Sequence, residues 1–219
     1  MLPWLEPVDG ASVFIRAIVH VSNPNRTPYV LGRAAIDCTG HSCYQNFARI
    51  RGLPMTYTDT QLLRLAARVG RHLLATGRCV STAESCTGGW IAKALTDVAG
   101  SSQWFGEGFI TYSNDAKVRR LGVAHSVLQS AGAVSNAVAR AMACGALRRT
   151  GAQLAVAVTG IAGPDGAVPG KPVGTVWLCW AEQRGRRIRL TAQRKHFRGN
   201  REAVRRKTVR LALAGLLER

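Results

Sequence analysis

Three short stretches carry the residue types that could do chemistry. The first is Thr82-Ala83-Glu84-Ser85-Cys86-Thr87-Gly88-Gly89, which follows an apolar β-prone run and precedes a helix-like one (Trp90, Ile91, Ala94, Leu95, Val98). A strand, a tight polar turn and a helix start bring two hydroxyls, a thiol and free backbone N–H groups into one space. The glycines let the backbone pass close to a ligand. Such a turn can hold an anion, stabilise an oxyanion or present a nucleophile, and it is also what a plain Gly/Ser turn looks like. The second stretch is Tyr112-Ser113-Asn114-Asp115-Ala116-Lys117, and the third is Thr159-Gly160-Ile161-Ala162-Gly163-Pro164-Asp165-Gly166. Each follows an apolar, strand-like run.

The elements that must position these stretches can be read from periodicity. Thr58 and Gln61 form a T-x-x-Q capping box, and Leu62, Leu65, Ala66, Val69 and Leu73 recur at helical spacing, predicting a helix over 59–76. A strand at 79–82 leads to the first stretch, and a helix at 87–98 leaves it. Phe105–Tyr112 reads as a strand, Ser113-Asn114 as the cap of a short helix, and 123–131 as another helix. Ser135 is an N-cap for a helix to about Arg149. The run Leu154-Ala155-Val156-Ala157-Val158 is a buried strand. Gly174–Ala181 and Arg186–Phe197 pair as antiparallel strands around Gln183-Arg184-Gly185, and Asn200 caps a last helix over 201–217. This order predicts an α/β fold, a layered α/β/α-type single domain with a mixed sheet. Ligands of open α/β sheets sit beyond the carboxyl ends of strands, so the three polar loops should converge.

Residues 1–54 differ from the rest. Pro3, Pro7, Pro24, Pro28 and Pro54 punctuate them, with one possible strand near Ser12–Val21. They read as a poorly structured extension, disordered or weakly packed, ahead of a domain at 55–219. Met55 opens a segment resembling a fresh N-terminus, so the upstream part could be an over-extended translation start. Early acidic residues (Glu6, Asp9) argue against a secretory signal, and no long uncharged apolar stretch predicts a membrane span. The six cysteines fit neither a zinc pattern nor a disulfide framework, which suggests reduced thiols in the cytoplasm. No carboxylate cluster calls for a metal, and no cofactor is expected.

The formal net charge is +18. Basic residues concentrate in 184–210, where Glu202 is the only acidic residue. Such a run could meet nucleic acid or a phosphorylated small molecule, or be a solvated basic face. Few aromatics accompany it, so a base-stacking surface is not supported.

Taken together, Ala83-Glu84-Ser85-Cys86-Thr87-Gly88-Gly89, Gly108-Phe109-Ile110-Thr111-Tyr112-Ser113-Asn114-Asp115-Ala116-Lys117, Gly132-Ala133-Val134-Ser135, Thr159–Gly166 and Lys171-Pro172-Val173-Gly174-Thr175-Val176 resemble the C-terminal domain of the competence/damage-inducible protein CinA. Stand-alone members of that family are nicotinamide-nucleotide amidases. The resemblance covers about residues 55–219 and implies hydrolysis of the carboxamide of nicotinamide mononucleotide to nicotinate mononucleotide and ammonia, within pyridine nucleotide recycling. It implies Ser85 as nucleophile and Lys117 as base, with Tyr112 relaying a proton or orienting either group. A Ser–His–Asp triad does not fit, because none of the three loops contains histidine; His72 and His125 lie in helices. A desolvated lysine can act as base instead. Cys86 is the rival nucleophile. Thr159 and Gly160 are expected at the substrate or oxyanion, Asn114 near the substrate, and Glu84 on Lys117 or the ribose hydroxyls. The phosphate falls to Thr87, Gly88 and Gly89 at the helix start, or to Arg198 or Arg205. The resemblance also suggests a homodimer. A basic nucleic-acid-binding protein and an inactive family member are the alternatives.

Overall fold

The structure, a computed structural model, describes residues 12–13, 36–37 and 57–219. The chain divides into two units, Met1–Pro54 and Met55–Arg219. In the first, strands β1 (Ser12–Val13) and β2 (Ile36–Asp37) pair antiparallel. The expected disorder or weak packing of this unit otherwise lies outside the described residues.

The second unit follows the predicted order. Helix α1 (Asp59–Ala75) starts at a capping box: Gln61 N–H donates to Thr58 Oγ1, and Thr58 N–H donates to Gln61 Oε1. Strand β3 (Val80–Glu84) leads through the Ser85–Gly89 turn into α2 (Trp90–Thr96). Strand β4 (Phe105–Ile110) is followed by α3 (Asn114–Leu121), α4 (His125–Ala131) and α5 (Asn136–Thr150). Strands β5 (Leu154–Gly160), β6 (Thr175–Arg184) and β7 (Arg187–His196) precede α6 (Arg201–Leu216). Helix α2 begins three residues later than the spacing suggests, because Gly88 and Gly89 hold φ of 60° and 91°, which a right-handed helix excludes.

The sheet order is β4-β3-β5-β6-β7. Strands β4, β3 and β5 are parallel, and β6 and β7 run antiparallel to them. Helices α1, α2 and α6 cover one face, and α3, α4 and α5 the other, giving three layers. The apolar run of β5 alternates by size rather than polarity. Leu154, Val156 and Val158 face the first layer, and Ala155 and Ala157 face the second. With Ala83, Cys179 and Ala181 they make a shallow floor on which α5 lies closely through Ala139, Ala143 and Ala146. Gly145 has a related reason: a Cβ there would collide with the Leu121 carbonyl at the end of α3. Helix α3 is thereby drawn against α5, and α3 carries Lys117.

Candidate active site

Alternation along β3 sends Glu84 and Ser85 to opposite faces of the sheet. Ser85 stands one residue beyond the last β3–β5 pair, Glu84 with Val158, and its N–H donates to Val158 O at 3.1 Å. Across β4 the last pair is Glu84 with Ile110, and Thr111 N–H donates to Glu84 O. Thr111, Ser85 and Thr159 therefore occupy adjacent positions at the carboxyl ends of the three parallel strands.

Lys117 reaches this row from α3. It is 1% exposed, and its Nζ lies 3.1 Å from Ser85 Oγ. The same Nζ donates to Thr111 O at 2.9 Å and Tyr112 O at 3.2 Å. Among the described residues Lys117 takes part in no salt bridge. Burial without a counter-ion lowers its pKa below the ordinary lysine value. In the neutral form two N–H groups meet the two carbonyls, leaving the nitrogen lone pair directed at Ser85 Oγ. That is the geometry of a general base on a hydroxyl nucleophile.

The turn also offers donors for developing negative charge. The Ser85 and Gly88 N–H groups are engaged, with Val158 O and Ser85 O. The Cys86 and Thr87 N–H groups have no acceptor among the described residues; Thr87 is fully buried, so the Cys86 N–H is the candidate donor to an oxyanion. Cys86 itself points into the core packed under α1, α2 and α6. Burial pushes its thiol up to about 12, so it stays protonated at neutral pH. The geometry disfavours it as nucleophile.

Several expected roles change. Glu84 touches neither Lys117 nor the solvent side: it is fully buried on the opposite face. Its carboxylate accepts from Thr87 Oγ1 at 2.7 Å, Ile91 N–H at 2.9 Å and Ala92 N–H at 2.8 Å. Burial raises its pKa, and these hydrogen bonds oppose that rise. The Glu84 carboxyl thus caps the start of α2, where Gly89 supplies no side-chain cap. The helix start cannot also seat a phosphate on those N–H groups, and Thr87 spends its hydroxyl on Glu84. Gly88 and Gly89 serve the turn; a Cβ on Gly89 would run into Ile110.

Arg205 donates from Nε to Cys86 O at 3.2 Å and from Nη2 to Thr87 O at 2.7 Å, with Trp90 against its guanidinium. It buttresses the Ser85–Gly89 turn. Tyr112 meets Lys117 through its carbonyl; its phenol is 61% exposed and accepts from Arg201 Nη2 at 2.9 Å. Among the described residues the phenol makes no hydrogen bond to Ser85 or Lys117, and the side chain is directed outward. Thr159 donates to Ala133 O at 2.8 Å, tying the Gly132–Ser135 segment over β5. Gly160 pairs with Val176, and β6 passes too close for a Cβ. Asn114 opens α3 and is exposed.

Two residues escaped the sequence reading. Arg201 joins two of the loops, donating from Nη1 to Gly163 O at 2.8 Å and from Nη2 to the Tyr112 phenol. One arginine in a basic run gives no signal of this. Thr111 Oγ1 is buried with no partner among the described residues. It sits beside Ser85, where a substrate group or water would satisfy it. The rest of the basic run divides between β7 and α6. Arg206 is held by Asp59 and Glu202, Lys207 by Arg198 O, and Arg210 stacks on Tyr57. Arg198 contributes its carbonyl there. Several of these side chains are therefore anchored within the fold, and among the described residues Arg184 and Arg206 pair with carboxylates.

A three-layer α/β domain with a buried Ser–Lys pair at the ends of its parallel strands defines a class of protein suited to hydroxyl-nucleophile chemistry. A family model described as the CinA C-terminal domain matches residues 62–219, and this chain belongs to that family. The nicotinamide-nucleotide amidohydrolase PncC of Escherichia coli is 52% identical over 159 residues, covering 73% of this chain and 94% of that protein. The protein of the same name from Pseudomonas putida is 54% identical over 154 residues, covering 70% and 94%. The crystal structure of competence damage-inducible protein A (ComA) from Klebsiella pneumoniae superposes with a TM-score of 0.68 at 42% identity, covering 72% of this chain and 96% of that one. The competence/damage inducible protein CihA from Agrobacterium tumefaciens gives 0.68 at 44%, covering 76% and 100%.

Proposed function

We propose that this chain is an amidohydrolase that converts nicotinamide mononucleotide to nicotinate mononucleotide and ammonia. The observation that carries the reading is Lys117 Nζ, buried without a counter-ion, 3.1 Å from Ser85 Oγ. The names and lengths of the PncC relatives support the substrate. Ser85 Oγ attacks the carboxamide carbon as Lys117 takes its proton. The oxyanion is met by the Cys86 N–H group. The tetrahedral adduct collapses as Lys117 returns the proton to the nitrogen, and ammonia leaves. Water, deprotonated by Lys117, then opens the acyl-enzyme ester, releasing the carboxylate and restoring Ser85. Glu84 and Arg205 act as positioning residues: one fixes α2, the other holds the turn carbonyls. Arg201, on the rim between two loops, is available to an anionic substrate group.

The amidase unit in this reading spans 55–219. Cys79, Cys86, Cys144 and Cys179 are free thiols, and a cytoplasmic location belongs to this reading. A homodimer belongs to the same reading and is checked by sedimentation. The deciding experiment is ammonia release from nicotinamide mononucleotide by the full chain, by the 55–219 segment, and by S85A and C86A. Activity in the first two and in C86A, with loss in S85A, is expected. Loss in C86A alone transfers the role to the thiol. An inactive wild type sinks the amidase reading.

A further inference from the structure

The row that holds Ser85 continues across the sheet. Thr159 pairs with Trp177, and Trp177 with Arg194, so these residues follow one another on the same face. Past Thr159 the row opens into a cavity of about 270 Å³ lined by Val134, Ser135, Pro169, Lys171, Trp177 and Arg194. Among the described residues no carboxylate lines it, and both cations contact carbonyls only: Arg194 Nη2 donates to Gly170 O at 2.6 Å, and Lys171 Nζ to Ala131 O at 3.0 Å. Carbonyl contacts hold a cation in place without neutralising it. The cavity therefore combines two uncompensated positive charges with a half-buried indole, in a volume suited to one small molecule.

We propose that this cavity binds a phosphate monoester of the mononucleotide type, with Lys171 and Arg194 as the phosphate ligands and Trp177 as the apolar wall. The segment 131–135 is both a wall of the cavity and the cover of Thr159. Lys171 holds Ala131 O, and Thr159 holds Ala133 O. A phosphate that engages Lys171 acts on the segment lying beside the nucleophile. The phosphate can come from two sources. One is the substrate itself, since Ser85 and Trp177 are two strand spacings apart, about 10 Å. The other is a second phosphorylated molecule bound while turnover proceeds. The first source rests on the amidase reading; the site does not.

The test is calorimetric titration of the full-length chain with ribose 5-phosphate, for wild type, R194Q, K171Q, W177F and R187Q. Arg187 is a basic residue of the same strand outside the cavity. Saturable binding by wild type is expected, weakened about tenfold in R194Q and in K171Q and unchanged in R187Q. W177F should weaken it less. Absent binding, or binding lowered equally by R187Q, overturns the proposal, the latter by reducing it to general surface charge. Arg194 is on an exposed strand end, so R194Q should keep the wild-type melting temperature, and its binding reports on the site rather than on folding. Ribose 5-phosphate is then tested as an inhibitor of ammonia release. Competition with nicotinamide mononucleotide assigns the phosphate to the substrate; binding without competition assigns it to a second molecule. An inactive wild type that still binds ribose 5-phosphate through Arg194 refutes the amidase reading and leaves this one standing.

Discussion

Two ionisable groups are buried at the end of β3, on opposite faces of the sheet, and their surroundings are opposites. Glu84 accepts three hydrogen bonds and closes the start of a helix. Lys117 meets two carbonyls and a hydroxyl and has no counter-ion among the described residues. A buried group whose hydrogen bonds are satisfied holds structure together, while an under-compensated buried amine is kept near the point of losing its proton. The contrast separates scaffold from chemistry within two consecutive residues, because β3 sends Glu84 one way and Ser85 the other.

Removing the chemistry should have the largest effect on rate and little on the fold. S85A is expected to lower kcat by roughly 10³–10⁶-fold, and K117M by about 10²–10⁴-fold, in ammonia-release assays. If K117M retains wild-type kcat, the two-sided comparison collapses.

The pH dependence sharpens the lysine half. Activity should rise with pH through a Lys117 pKa below the ordinary lysine value, since the proposed base is the neutral amine. Stability shares that window. A lysine whose pKa is lower folded than unfolded leaves the unfolded chain with more bound protons between the two values, so stability rises with pH there. Melting wild type against K117M as pH rises from neutral toward the ordinary lysine value should show this gain in wild type only.

E84Q breaks the scaffold half. The amide keeps one acceptor oxygen and sets its NH2 against backbone donors, at a cost of about 2–3 kcal/mol in denaturant unfolding. Activity should fall through misplacement of the turn and recover partly at low temperature, which S85A does not. The smallest effect belongs to Y112F. The phenol is exposed and the carbonyl that meets Lys117 is kept, so kcat should stay within about twofold of wild type. A thousandfold loss would restore the phenol to the proton path.

Much of the fold was legible because local signals were strong. The Thr58–Gln61 box, the Ser135 and Asn200 caps and the apolar run of β5 each depend on a few neighbouring residues, and the elements formed where those signals stand. The end of β3 shows where legibility stops. Glu84, Thr87 and Arg205 are polar residues in or beside a ligand-like motif, and type alone suggests binding. Their partners turned out to be internal: Ile91 and Ala92 for Glu84, the turn carbonyls for Arg205. Arg201 and Thr111 gave no signal, one hidden among other arginines and the other in a strand end.

What the sequence determined by itself was the set of elements and their order, because periodicity, caps and turn residues act over a few positions; the pairing of Ser85 with Lys117 was implied by the family resemblance. What only the tertiary structure decided was which face each side chain serves and which charges are left uncompensated. Those depend on strand register and on helices brought together from distant parts of the chain. A lysine becomes a base only when packing removes water from it and supplies no carboxylate in return.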